Sequence, residues 1–277
     1  MNSESFLRQY RYKALAVAGV AIVILLNRFF GHALMYAMHQ PVFLFEQKEA
    51  AYRLFLASGL AQFITNNPLI SIVFDIALFA MPIAFVLTLK RGFAIAFSVL
   101  LLIYFVTYNL VTGHHYHGLV GLILITIPFW TNNQIRFELL WQACRYYLLY
   151  IFSSAALWKI LRGSVFYKEQ MSNILKAQQL DLLLQQPDSF RAQAAQYLIA
   201  NPDIAHTVLV VNVVVQLIFL IGFFTRKADS FLFVLLIVFC AANYFVMNIV
   251  SAELLILNLT LLNWDKIEAW FSNSQVS

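Results

Sequence analysis

The residues of this chain that could do chemistry are its histidines and one lysine inside an apolar stretch. Histidine changes its charge near neutral pH and can act as a base or as a metal ligand. Lys159 lies within the apolar residues 151–161, where an ionisable group is costly and is therefore a candidate for function. The six histidines are His32, His39, His114, His115, His117 and His206.

Lys159 has the surroundings of a general base. Arg162 follows three residues later on the same helix face, and partial burial together with a like charge favours the neutral form of an amine. The small residues 153–156 allow neighbouring helices to pack closely around it. We predict Lys159 as a catalytic residue. The alternative is an anchoring role, in which the ammonium group reaches the lipid headgroups.

The densest histidine group is His114-His115-Tyr116-His117. On a helix these side chains would point in different directions, and neither an HExxH pattern nor a cysteine accompanies them. We therefore predict a polar pocket with no metal assigned to it. A metal site at these histidines and polar anchoring at the membrane interface are the alternatives. The predicted substrate-binding residues of this pocket are Asn109, Tyr116, His117 and Glu253.

The composition indicates an integral membrane protein. Of 277 residues, 62% are hydrophobic and 11% are charged, whereas soluble domains have about 45–50% apolar and about 25% charged residues. This excludes an ordinary soluble protein, a disordered chain and a collagen-like fibre. The basic residues occur singly or in pairs, so the lipid bilayer is the expected partner and nucleic acid is not. Cys144 and Cys240 have no CxxC partner and are predicted as inert buried thiols.

The fold class that we predict is all-α, a polytopic transmembrane helical bundle of seven or eight spans in a single domain of residues 1–277. A span needs about 20 mostly apolar residues, and the fourth and eighth candidates are short. The candidates are residues 12–34, 69–89, 92–112, 117–131, 137–161, 204–224, 229–249 and 250–264.

Basic residues set the predicted orientation. If eight spans alternate, the basic N-terminus and the basic turns all lie on one side, which the positive-inside rule makes cytoplasmic. We expect a bacterial inner membrane with both termini in the cytoplasm and the histidines at or near the outer face. The basic residues of the turns are Lys90, Arg91, Arg136, Arg226, Lys227 and Lys266.

Two longer segments fall on the outer side in this topology. Residues 35–68 have apolar residues three and four positions apart and predict an amphipathic helix on the membrane surface. Residues 163–203 are polar and rich in glutamine, with breaks at Pro187 and Asn201-Pro202, and predict a small helical cap.

Other polar residues lie within the predicted spans. Asp75 and Glu253 are near the outer face, so either could pair with Lys159. Arg145 lies in the cytoplasmic half and is interpreted as a structural partner or a lipid contact. Polar residues in spans most often bond neighbouring helices, which is the interpretation for Gln216 and Asn243.

Two stretches resemble the HTTM-type membrane domain, which is shared with vitamin K-dependent gamma-glutamyl carboxylase and distantly with DoxX-like proteins. The first is residues 108–119, YNLVTGHHYHGL, and the second is residues 150–163, YIFSSAALWKILRG. The order of the later spans, with a basic pair between two of them, is similar as well.

The resemblance implies a chemistry. In the carboxylase, the lysine of the second motif deprotonates vitamin K hydroquinone with help from the histidine of the first, and the oxygenated product removes a glutamate proton before carbon dioxide adds. The resemblance thus implies Lys159 as general base, His114 or His115 as its catalytic partner, and a reduced quinone as cofactor. Gln216 and Asn243 depart from the family's Glu and His. Because the chain ends soon after its last span, without the domain that binds the peptide, full peptide carboxylation is not expected.

Three functions are compatible with the sequence. The first is an enzyme that uses Lys159 on a quinone or lipid-like substrate in an outer-face pocket. The second is a non-catalytic membrane subunit or a module that binds a lipid or a protein partner. The third is a small-solute transporter, which Asp75, Arg145 and Glu253 permit but which no inverted repeat supports.

Overall fold

The computed structural model describes residues 3–38, 41, 43, 50–112, 118–247 and 252–273, and these residues form helices, turns and connections without a strand. The all-α prediction is therefore confirmed for this part of the chain. The α-helices are α1 Ser3–Phe30, α2 Ala50–Ala57, α3 Leu60–Thr65, α4 Pro68–Thr88, α5 Arg91–Thr112, α6 Gly118–Leu124, α7 Gln134–Leu161, α8 Gln170–Gln178, α9 Leu180–Gln185, α10 Phe190–Ala200, α11 Pro202–Ile218, α12 Ile221–Phe224, α13 Asp229–Met247, α14 Ala252–Leu255 and α15 Trp264–Asn273. Short 3₁₀ helices cover Met35–Ala37, Ile127–Trp130, Ser164–Phe166 and Ile256–Leu261.

Five helical segments of the described residues are long and apolar enough to cross a membrane. They correspond to five of the predicted spans, and their length and composition are those of an integral membrane protein. The segments are Glu4–Ala37, Pro68–Thr88, Arg91–Thr112, Pro202–Phe224 and Asp229–Met247.

The other three predicted spans differ from these five. The described residues of the predicted span 117–131 form α6 and then a 3₁₀ helix that contains Pro128, which cannot donate a backbone hydrogen bond. In the predicted span 250–264, the described residues carry the short α14, the 3₁₀ helix Ile256–Leu261 and the first residue of α15. Helix α7 has 28 residues, enough to cross a bilayer, but four charged side chains interrupt its apolar character. The total of seven or eight spans stays a prediction.

The described residues of the segment 35–68 form separate short helices, α2 and α3 among them, where the sequence predicts one amphipathic helix. Gly59 separates α2 from α3 with a φ of 73°, a left-handed conformation that glycine adopts without a steric penalty. Residues 163–203 are helical as predicted, with α8, α9 and α10 after a 3₁₀ turn. Their place on an outer face stays a prediction.

Within the predicted single domain, the chain divides into two compact units. The first comprises residues 1–144, 252–260 and 264–277, and the second comprises residues 145–251 and 261–263.

The first unit has an aromatic core in which the ring of Tyr10 lies 5.0 Å from that of Phe137, and Phe137 stacks on Trp141 at 5.8 Å. The ammonium group of Lys13 lies 5.1 Å from the ring centroid of Trp141 and 3.0 Å from the carboxylate of Glu138. Cation–π attraction and the ion pair thus offset the cost of burying this charge.

The second unit is held together by stacked rings and a buried ion pair. The ring of Phe152 stacks on Phe219 at 4.8 Å between centroids. The guanidinium of Arg145 donates to Asp229 Oδ2 at 2.9 Å and to the carbonyl of Gly222 at 2.8 Å. Gly222 lets Leu149 pack closely against this turn, because a Cβ at position 222 would lie 2.6 Å from a methyl carbon of Leu149 and the leucine would have to move. The interpretation of Arg145 as a structural partner is confirmed.

Candidate ligand-binding site

Lys159 lies in the last turn of α7, two residues before the helix ends. The helix ends because Gly163 adopts a φ of 72°, and its N–H binds the carbonyl of Ile160 at 2.9 Å. Arg162 is exposed, and its guanidinium lies 5.2 Å from the ring centroid of Trp158. The two basic side chains at this end of α7 therefore have different surroundings.

The amine of Lys159 is half-buried and binds two amide oxygens of α11. Its Nζ lies 2.9 Å from Gln216 Oε1 and 3.2 Å from Asn212 Oδ1. Asn212 and Gln216 are four residues apart, so they project from the same helix face. The amine is thus oriented towards α11, whereas the predicted anchoring alternative would orient it towards the headgroups.

A third hydrogen bond extends this group to α13. Asn212 Nδ2 donates to Asn243 Oδ1 at 3.1 Å. A continuous chain of side-chain hydrogen bonds thus runs from Gln216 through Lys159 and Asn212 to Asn243. We call it the polar chain. Asn212 was missed in the sequence, although an asparagine four residues before a glutamine in a valine-rich span was a detectable feature.

The polar chain ends in the wall of an apolar cleft of about 220 Å³, which we call the cleft. Its only polar lining residues among those described are Asn212 and Asn243. Val211 and Val238 are 56% and 58% exposed, so the cleft opens at the protein surface. The remaining lining residues are Met171, Val208, Val215, Leu235, Phe239, Ala242, Val246 and Met247.

This arrangement suits a largely apolar ligand that has one polar end. Ligand sites typically combine apolar walls with a few polar groups that fix orientation. Here the walls are aliphatic and aromatic, and the polar groups are two amides connected to an ammonium group. The described lining contains no acidic or basic residue, so a neutral polar end fits better than an ionic one.

A second cleft, of about 480 Å³, lies in the first unit and includes Asp75. The two carboxylate oxygens of Asp75 accept hydrogen bonds from the backbone N–H groups of Met35 and Tyr36, at 3.2 and 2.8 Å. Asp75 therefore holds the 3₁₀ turn Met35–Ala37 in place, which is a structural role. The other lining residues of this cleft are apolar apart from Tyr36.

The remaining predicted site residues are not brought together by the described contacts. Asn109 is buried in the first unit and donates to the hydroxyl of Tyr52 at 3.0 Å. Glu253 belongs to α14, and its side chain lies outside the described residues. His114, His115, Tyr116 and His117 also lie outside the described residues, so their catalytic and substrate-binding roles stay predictions.

Within the described part of the chain, neither the cysteines nor a metal-binding group adds to the site. Cys144 and Cys240 are buried free thiols, as predicted. Among the residues that the structure describes, no three His, Cys, Asp or Glu side chains come together as metal ligands would.

No protein-family model, no curated protein and no solved structure matches this chain.

Proposed function

We propose that this protein is an integral membrane protein that binds a quinone or lipid-like molecule in the cleft between α11 and α13. The observation that carries the proposal is the polar chain, which connects the amine of Lys159 to the wall of an apolar cleft through Asn212 and Asn243. The proposed setting is a bacterial inner membrane with seven or eight spans, cytoplasmic termini and residues 163–203 on the outer side. We further propose a relationship to HTTM-type domains.

Two properties of the cleft support a ligand from the bilayer. Its exposed valines make an opening through which a hydrophobic molecule can enter without crossing water. Its polar groups converge on one part of the wall, so they can hold a headgroup while the chain covers apolar side chains. Among the functions compatible with the sequence, a lipid-binding or quinone-binding module agrees best with this geometry.

The decisive test is to fill the cleft. Val215 lines it, whereas the neighbouring Val214 is 50% exposed on the same helix and does not. We expect Val215→Phe to weaken binding of a benzoquinone with a photoreactive decyl chain by at least about tenfold, or about 1.4 kcal/mol. Val214→Phe should bind as the wild type does. Photolabelling in nanodiscs, followed by peptide mass spectrometry, measures both binding and its position.

Two results would contradict the proposal. One is labelling of the wild type that is spread over all lipid-facing helices and is unchanged in Val215→Phe. The other is an equal loss of labelling in both phenylalanine variants. Competition by bilayer phospholipid, present in excess, separates a lipid site from a quinone site.

Catalysis is a finer part of the proposal. In this finer proposal, the neutral form of Lys159 would exchange its hydrogen bond to Asn212 for the polar end of the ligand and act as general base, with His114 or His115 as its proton partner. In that case, purified wild type consumes oxygen with a reduced quinone, and Lys159→Met abolishes this uptake while Arg162→Met retains it. Oxygen uptake that survives in Lys159→Met would leave the lysine with a binding role only.

A further inference from the structure

The direction of every hydrogen bond in the polar chain follows from the ammonium group of Lys159. A lysine ammonium group has three donors and no acceptor. Asn212 and Gln216 must therefore turn their amide oxygens towards Lys159, as observed. Once its oxygen faces the lysine, the amide nitrogen of Asn212 faces Asn243, which must in turn present its own oxygen.

The consequence appears at the wall of the cleft. The amide oxygens of Gln216, Asn212 and Asn243 all accept from partners inside the polar chain. Asn243 Nδ2 has no acceptor among the described residues, and Asn243 lines the cleft. A ligand at this wall therefore meets the N–H donors of Asn243, which are unpaired among the described residues, while each amide oxygen of the polar chain already accepts one hydrogen bond inside it.

We infer that the cleft selects a ligand whose polar end accepts a hydrogen bond, such as a carbonyl oxygen, over a matched ligand whose polar end is a hydroxyl. This inference rests on the proposed function, because it specifies the ligand of the same cleft. Asn243 donates a hydrogen bond to the polar end of the ligand. Lys159 is a positioning residue, because it fixes the orientation of the Asn243 amide through Asn212. A hydroxyl can still accept a hydrogen bond, but its own proton meets only amide oxygens that already accept one from inside the polar chain.

The test compares an alkylated 1,4-naphthoquinone with its own hydroquinone, which has the same ring and chain. Both compete against the photoreactive quinone in nanodiscs under argon, so the reduced form persists. We expect the wild type to bind the quinone about fivefold more tightly, the effect of about one hydrogen bond. Lys159→Met frees both amides to rotate, so the preference should fall to about one.

Arg162→Met is the matched control, because it removes a basic side chain three residues away that lies outside the polar chain. It should keep the fivefold preference. A ratio of affinities is the useful readout, since a loss of packing alone would weaken both ligands equally. If Lys159→Met does not fold, the double variant Asn212→Leu with Asn243→Leu decides, because it keeps the bond from Lys159 to Gln216 while removing both amide nitrogens at the cleft.

The outcomes separate this inference from the proposed function. Equal affinities in the wild type, or an unchanged preference in Lys159→Met or in the double variant Asn212→Leu with Asn243→Leu, would overturn the inference and leave ligand binding intact. Tighter binding of the hydroquinone to the wild type would overturn it as well. Binding of neither compound would overturn the inference and the proposed function together.

Discussion

Replacement of Arg145 by methionine is expected to lower the free energy of unfolding by about 3–5 kcal/mol. The side chain is 1% exposed, and it donates to Asp229 Oδ2 and to the carbonyl of Gly222. Methionine fills much of the same space but cannot donate, so the carboxylate of Asp229 would stay in its mostly buried position without a cation. The measurement is unfolding in detergent, followed by circular dichroism.

Arg162→Met is the control, because it makes the same substitution at an exposed position just after the same helix. We expect a change within about 0.5 kcal/mol there. The double variant Arg145→Met with Asp229→Leu should recover most of the lost stability, since it removes both charges. Similar stabilities for Arg145→Met and Arg162→Met would show that the ion pair is not important for folding.

The second large effect is expected from Trp141→Ala in the first unit. Trp141 is 1% exposed, and its ring lies 6.1 Å from Phe129 and 6.1 Å from Trp264. Truncation removes these contacts and leaves a cavity beside the ammonium group of Lys13. Such changes cost about 3–5 kcal/mol, and the same detergent unfolding assay measures the loss.

Trp158→Ala is the control for this prediction, because Trp158 is exposed. Among the described residues, its ring has one cation–π contact, with Arg162, and no contact with another ring. We expect less than about 1 kcal/mol there. If the two alanine variants have equal stability, the aromatic core does not support the first unit in the way its packing indicates.

The sequence by itself determined the class of this protein and the position of its long helices. An apolar run of about 20 residues has few alternatives to a membrane helix, because the backbone must satisfy its own hydrogen bonds in lipid. The same reasoning identified Lys159 and Arg145 as unusual, since the cost of a charge in an apolar stretch is visible without a structure. These inferences depend on neighbours along the chain.

Sequence reasoning was less accurate where a segment is only partly apolar. The periodicity of residues 35–68 predicts one amphipathic helix, but the segment contains separate short helices, with a left-handed Gly59 between two of them. Isolated short helices are marginal, so packing decides where such helices begin and end.

Only the tertiary structure decided which polar groups meet. Lys159 and Asn212 are 53 residues apart, and Arg145 and Asp229 are 84 residues apart. The sequence offered Asp75 and Glu253 as partners for the lysine, because opposite charges attract. Among the described residues, the structure assigns neutral amides of α11 to the lysine, and the side chain of Glu253 lies outside these residues. The physical reason is that a hydrogen bond between side chains depends on which helix faces pack together, and the apolar residues that determine this packing are similar on every helix.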